Sequence, residues 1–186
     1  MLAAILFLGI AELKDNVTRM HNGADNDNLV GEYQVKQLQL PPINFNAYQA
    51  ILPIPYYCSG SQDYEYTIDP DPDWFLFNML LSLRSKLPLM SYIVTRAPVQ
   101  HNIDLLNMVA LDSISTDLAS RLNKQPILVA VNKSLVASNN ASGAASKNAE
   151  LLYSKAANFA ERNKAYLKPI DSLNNIVYYT WYPKQH

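Results

Sequence analysis

The sequence contains few cysteines, glycines and histidines. Its single cysteine excludes an intramolecular disulfide and a cysteine-rich metal site. Five glycines leave little scope for phosphate-binding loops, and Ser59-Gly60-Ser61 matches neither the P-loop nor the dinucleotide-binding pattern. The three histidines are far apart and never at the i, i+4 spacing of a helical zinc site. We therefore expect no metal and no cofactor.

Charge is also scarce. Charged residues make up 17% of the chain and the net charge is -1, with lysine and arginine scattered rather than forming a stripe. This distribution gives no basis for a nucleic-acid partner. Apolar residues make up 49% of the 186 residues, which is enough for the core of one domain.

The N-terminus lacks an apolar run long enough to span a membrane. Residues 1–10, MLAAILFLGI, are almost wholly apolar, but a transmembrane helix needs roughly 20 such residues. No positive segment precedes the run and no convincing cleavage site follows it, so a signal peptide is disfavoured. Three interpretations stay open: a core helix or strand, a membrane-surface anchor, or the end of a transmembrane helix.

The remaining pattern alternates strands and helices. Apolar runs and alternation predict strands at residues 33–40, 48–55, 89–94, 126–131 and 175–182. Helical periodicity and capping signals predict helices near residues 72–86, 100–123 and 147–163, with a small-residue loop over 134–148. This order predicts an α/β fold with three layers, in which a mostly parallel sheet carries helices on both faces.

Acidic residues alternate just before the first predicted helix. Asp69, Asp71 and Asp73 resemble a calcium ladder, but prolines lie between them and no glycine–glutamate pattern follows. Asp71 as N-cap and Pro72 at the first helical position explain the segment better, as a helix start.

Polar groups follow the buried strands, at the edge where parallel sheets bind ligands. The candidate ligand-binding residues are Tyr56, Tyr57, Ser59, Ser61, Arg96 and His101. Arg96 is the strongest candidate, because a guanidinium suits carboxylate or phosphate. The alternative is an ion pair between Arg96 and an acidic residue in 63–73.

Cys58 and His101 raise a catalytic alternative, a cysteine-dependent hydrolase with a nucleophile and a base. No flanking signature or third positioned residue accompanies them. A lone cysteine at a strand end is more often a small buried hydrophobe. We assign no catalytic residue.

Two segments together resemble a known family. YQAILPIPYY, residues 48–57, is followed by LSLRSKLPLMSYIVTRAP, residues 81–98. The pair is similar to the soluble domain after the last membrane helix of bacterial multi-pass glycosyltransferase-like proteins of the GT-C kind. There an ILxIP strand precedes a helix, a Lys-x-Pro turn and a strand ending in Ser/Thr-Arg-x-Pro. The chain departs from that pattern at Pro53, Arg84 and Ser85.

The resemblance implies a membrane-associated location facing outside the cytoplasm, in the periplasm or cell envelope. Residues 1–11 would end a transmembrane helix or form an apolar anchor, residues 12–32 a polar connector, and residues 33–186 the α/β domain. The implied partners are the membrane-embedded portion of the same or another protein, and a glycan or lipid-linked sugar. The implied function is an accessory domain. A free-standing soluble α/β binding module is the alternative.

Overall fold

The structure, a computed structural model, describes residues 39–61, 67–138 and 146–183. Within these ranges the strands are β1 (Ala50–Ile54), β2 (Cys58–Ser61), β3 (Tyr92–Ala97), β4 (Ile127–Asn132), β5 (Leu167–Leu173) and β6 (Ile176–Trp181). The helices are α1 (Pro72–Ser85), α2 (Val99–Leu111), α3 (Thr116–Arg121), α4 (Lys133–Ser138), α5 (Lys147–Ala157) and α6 (Phe159–Arg162). The predictions for segments 1–11, 12–32 and 33–38 lie outside the described residues.

The prediction of mixed α/β structure is confirmed. A four-stranded sheet has the order β1-β4-β6-β5, and β2 pairs with β3 in a second, two-stranded sheet. β1 runs parallel to β4, and β2 runs parallel to β3. However, β6 is antiparallel to both β4 and β5, so the mostly parallel sheet of the prediction is not confirmed.

β1 contains Pro53, a residue that cannot donate to a sheet ladder. The N–H of Ile51 donates to the carbonyl of Pro88, and its carbonyl accepts from Met90, so both groups point away from β4. Alternation along the strand places the nitrogen of Pro53 on that same outer side. The proline is tolerated because its missing N–H falls where no continuous ladder forms. The strand then ends at Ile54, which is joined to Pro55 by a cis peptide bond.

Successive side chains of β4 enter two separate apolar clusters. Ile127, Val129 and Val131 belong to one cluster with residues of α2, α5 and α6. Leu128 and Ala130 belong to the other, with Trp74 and Leu81 of α1. Because side chains alternate between the faces of a strand, β4 is buried on both faces, as its continuous apolar run predicted.

α1 begins and ends where its signals predicted. The Asp71 carboxylate accepts from the N–H of Trp74 at 3.0 Å, and Pro72 occupies the first turn. Lys86 ends the helix with a left-handed φ of 61°. The helix-start interpretation of Asp71 is therefore confirmed.

The helix predicted over residues 100–123 is wrong in one respect, because two helices occupy this segment. α2 ends at Asp112, whose φ is 56°, and α3 begins after Ser115, whose hydroxyl accepts from the N–H of Leu118 at 3.2 Å. A serine N-cap and an aspartate in the left-handed region both compete with helix continuation. The helix predicted over 147–163 is likewise divided, at Asn158.

Two further segments differ from prediction. β5 was not predicted, and it forms a hairpin with β6 through Asn174 and Asn175, which have φ values of 49° and 64°. Such positive φ values at both turn positions are typical of tight hairpins. The strand predicted over 89–94 is shifted towards the C-terminus, since β3 spans Tyr92–Ala97. Leu89 forms only a single bridge, to Ile51.

The segment predicted as a loop over 134–148 contains α4 at its start. The side-chain oxygen of Asn132 accepts from the N–H groups of Ser134 and Leu135, at 3.1 and 3.2 Å. The middle of that segment, 139–145, lies outside the described residues. Across the described ranges, no helix has the length and apolar content needed to cross a bilayer.

Candidate functional site

Ser59 and Ser61, which were predicted to follow a strand, lie within the unpredicted strand β2, which pairs with β3 in the two-stranded sheet. Ser59 lies beside Ile93 and Ser61 beside Ala97, with a register shift between these two pairs. Arg96 is the penultimate residue of β3, and α2 begins two residues after this strand, with His101 in its first turn. The backbone thus brings Ser59, Ser61, Arg96 and His101 into one region, but through β2 and β3 of the two-stranded sheet and not through the single parallel sheet that was predicted. Ligand binding by these residues stays a prediction.

The two tyrosines of the candidate site lie elsewhere than expected. Tyr56 and Tyr57 are 0% and 1% exposed, and they belong to different apolar clusters. The Tyr57 ring packs edge-on against Phe75, with 6.1 Å between the ring centroids. The expectation that both rings face a ligand at the edge is therefore wrong, because the residues after β1 turn inward and extend the core.

The Tyr57 hydroxyl is buried with its ring. Burial raises its pKa from the ordinary 10.0 to about 12, and interaction with the Ser91 hydroxyl offsets part of this shift. The two hydroxyls nevertheless do not meet the geometry of a hydrogen bond. Burial also raises the pKa of Tyr178, and the charge of Asp171 adds to that shift. Both tyrosines stay protonated at neutral pH.

Cys58 is fully buried in the apolar cluster that contains α2. Burial raises the pKa of its thiol from 9.0 to about 12; a backbone hydrogen bond with Ile68 lowers it somewhat, and the charge of Asp69 raises it further. A nucleophilic cysteine instead needs a lowered pKa and access to substrate. The environment of Cys58 therefore opposes the cysteine-dependent hydrolase.

The acidic residues of the described ranges do not gather around a common point. Over the ranges that the structure describes, no group of three or more histidine, cysteine, aspartate or glutamate side chains could hold a metal ion. Asp71 is engaged in capping α1.

One polar residue near the edge was missed by the sequence analysis. Asn102, in the second turn of α2, is 0% exposed, and neither its amide nitrogen nor its amide oxygen has a hydrogen-bond partner among the described residues. It lies three, four and seven residues before Leu105, Leu106 and Val109, on the buried face of the helix. The helical periodicity over residues 100–123 predicts an inner stripe of Ile103, Leu106, Ala110, Ile114, Leu118 and Leu122, which leaves Asn102 out. A helical wheel shifted by one position would have placed Asn102 on the inner face.

Comparisons with known proteins add no relative. No protein-family model, curated protein or solved structure matches this chain.

Proposed function

We propose that the chain is an extracytoplasmic accessory domain of a glycosyltransferase-like membrane protein. In this proposal the carboxyl edge of β2 and β3 contacts a glycan or a lipid-linked sugar. The observation that carries it is the parallel pairing of these strands, with Ser61 beside Ala97 and the first turn of α2 directly following. The resemblance of residues 48–57 and 81–98 supports the choice of protein class.

The chemistry of this edge suits binding. Arg96 is the penultimate residue of the strand that leads into α2, and no side chain caps the N-terminus of that helix. A guanidinium and an uncapped helix N-terminus both favour an anionic group such as a sugar phosphate. The buried, protonated Cys58 thiol argues against covalent catalysis at the same edge.

We also propose the finer architecture, a three-layer domain with helices on both faces of the sheet. Its support is the division of the core: α1 shares one cluster with β4, while α2, α5 and α6 share the other. In such an arrangement the helices cover both faces of the sheet, and its ends carry the exposed polar groups.

The membrane location is tested by fractionation of the 186-residue chain and of a variant that lacks residues 1–11. If the proposal is right, the full chain partitions into membranes and the shortened chain stays folded and soluble. A monodisperse full chain whose stability collapses on deletion of residues 1–11 would favour the free-standing binding module. Genomic sequence around the coding segment gives a second check, since the proposal requires neighbouring membrane spans.

The binding edge is tested with Arg96→Ala and a matched control, Arg121→Ala. Arg121 is an exposed arginine on α3 that pairs with Asp117 at 2.7 Å, away from β2 and β3 in the chain. Binding of an undecaprenyl-phosphate sugar should weaken at least about tenfold in Arg96→Ala, equivalent to about 1.4 kcal/mol, and stay unchanged in Arg121→Ala. Equal affinities for the two variants would refute the role of Arg96.

A further inference from the structure

A groove lies at the amino end of β4, away from the edge considered above. Its volume is about 350 Å³, and its lining residues are Leu122, Asn123, Lys124, Gln125, Tyr182 and Pro183. That volume falls within the range of small-molecule sites. The groove is formed where the segment leading into β4 meets the residues that follow β6.

The wall of the groove is held in place by one glutamine. The Gln49 side chain donates to the carbonyl oxygens of Asn123, at 3.2 Å, and Gln125, and it accepts from the N–H of Asn123 at 2.8 Å. The N–H of Gln125 in turn donates to the side-chain oxygen of Asn123 at 2.7 Å. These bonds satisfy the backbone of the turn and fix the position of its side chains. A site that is ordered before binding loses less entropy when a ligand arrives.

The exposed chemistry of the groove combines an aromatic face with amides. Tyr182 is 62% exposed, so most of its ring surface is accessible to a ligand. The Gln125 amide nitrogen, the Lys124 ammonium and the Tyr182 hydroxyl make no hydrogen bond or ion pair with other described residues. Donors, acceptors and an apolar ring surface are thus available together.

We propose that this groove binds a pyranose sugar, with one face of the ring stacked on Tyr182 and its hydroxyls bonded to Asn123, Lys124 and Gln125. The C–H face of a pyranose is weakly positive and matches the negative face of an aromatic ring. Its hydroxyls donate and accept, as amide side chains do. The site is distinct from the β2–β3 edge and does not depend on a membrane neighbour.

Two other ligand classes fit less well. A peptide strand would need the free edge of the adjacent strand β5, but Pro169 and the register shift beside it interrupt that edge. A nucleotide would stack on Tyr182 as well, yet among the described lining residues Lys124 is the one cation, and phosphate sites usually combine several donors. A sugar needs neither a strand edge nor a cationic cluster.

The test uses the full 186-residue chain labelled with ¹⁵N and titrated with methyl glucoside and methyl N-acetylglucosaminide. Binding should shift the side-chain amide signals of Asn123 and Gln125. Tyr182→Ala should weaken binding about tenfold or more, whereas Tyr182→Phe, which keeps the ring, should retain most of it. Tyr166→Ala is the matched control, because Tyr166 is 49% exposed but does not line the groove.

Three results would overturn the proposal. The first is that neither sugar shifts the Asn123 and Gln125 signals at millimolar concentration. The second is an equal loss of affinity in Tyr182→Ala and Tyr166→Ala, which indicates non-specific contact with surface aromatics. The third is that a proline-rich peptide or adenosine monophosphate shifts the same signals while both sugars do not.

Discussion

The junction between α2 and α6 depends on Asp112. We expect replacement of Asp112 to destabilise the domain more than replacement of an ordinary surface aspartate does. The carboxylate accepts from the Asn163 amide at 2.6 Å and from the Arg162 guanidinium at 3.2 Å. Arg162 also donates to the Val109 carbonyl at 2.6 Å. Asp112 therefore joins the end of one helix to the end of another that lies fifty residues later in the chain.

The magnitude follows from three contributions. The bond to Asn163, which is 7% exposed, is charge-assisted and contributes about 1.5–3 kcal/mol. The pair with Arg162 is partly solvated, with side-chain exposures of 30% and 40%, and adds at most about 1 kcal/mol. Alanine at the left-handed φ of 56° is also less favourable than aspartate, whose short polar side chain can bond to the local backbone, by at most about 1 kcal/mol. Because Asn163 and Arg162 keep other partners, we expect a total near 3 kcal/mol for Asp112→Ala.

Urea unfolding followed by circular dichroism measures this loss, provided that the denaturant slope is unchanged. Asp112→Gly removes the same contacts without the backbone penalty, so it should be about 1 kcal/mol more stable than Asp112→Ala. The control is Asp117→Ala, which breaks an exposed aspartate–arginine pair on α3 and should cost below about 1 kcal/mol. If Asp112→Ala costs no more than Asp117→Ala, the junction has no special role and the reasoning is refuted.

Four other predictions concern buried groups. The free energy of unfolding should fall as pH rises from 9 towards 12, because the unfolded Cys58 thiol ionises near 9 whereas the folded thiol ionises near 12. In urea titrations, the difference in stability between wild type and Cys58→Ala should be constant below about pH 8 and should change above pH 9. A parallel decline of both proteins above pH 9 would exclude the thiol as the cause. At neutral pH a thiol reagent should label Cys58 only on unfolding, and rapid labelling of the native chain would contradict its burial. Tyr48→Phe should cost about 1 kcal/mol, since it removes the 2.9 Å bond to Thr180, and an unchanged urea midpoint would show that this bond adds nothing. Asn102→Leu should stabilise the domain by about 1–3 kcal/mol, because it replaces a buried amide that has no hydrogen-bond partner in the described part of the chain with an apolar side chain. Destabilisation, measured by urea unfolding, would indicate that the amide forms hydrogen bonds in solution.

The elements that were predicted correctly carry their signals locally. β4 is a continuous apolar run and is buried on both faces, while α1 has an aspartate cap and a proline in its first turn. In each case neighbouring residues alone decide the conformation. β1 was also predicted from its continuous apolar run, and the nitrogen of Pro53 lies on the side of the strand that faces away from β4.

The elements that were predicted incorrectly depend on contacts between segments that are distant in the sequence. The apolar stripe continues in phase from α2 to α3, so periodicity alone does not show the break, which Asp112 makes together with Asn163 from a distant helix. β5 contains Lys168 and Pro169, which discourage a strand prediction, and it forms because it pairs with β6. Tyr56 and Tyr57 follow the end of a strand, and only the packing of layers decides that they turn inward.

The direction of β6 also changes where a ligand site can be expected. The rule that placed the candidate residues assumes parallel strands, whose carboxyl ends share one edge. In this sheet β6 runs antiparallel to β4, and Trp181 at the end of β6 pairs with Ile127 at the start of β4. The residues after β6 therefore come near the residues before β4, and Tyr182 lines one groove with Asn123 and Gln125 at the amino end of β4. The antiparallel direction of β6 therefore places polar chain ends at the amino end of β4, whereas the proposed β2–β3 edge belongs to the separate two-stranded sheet.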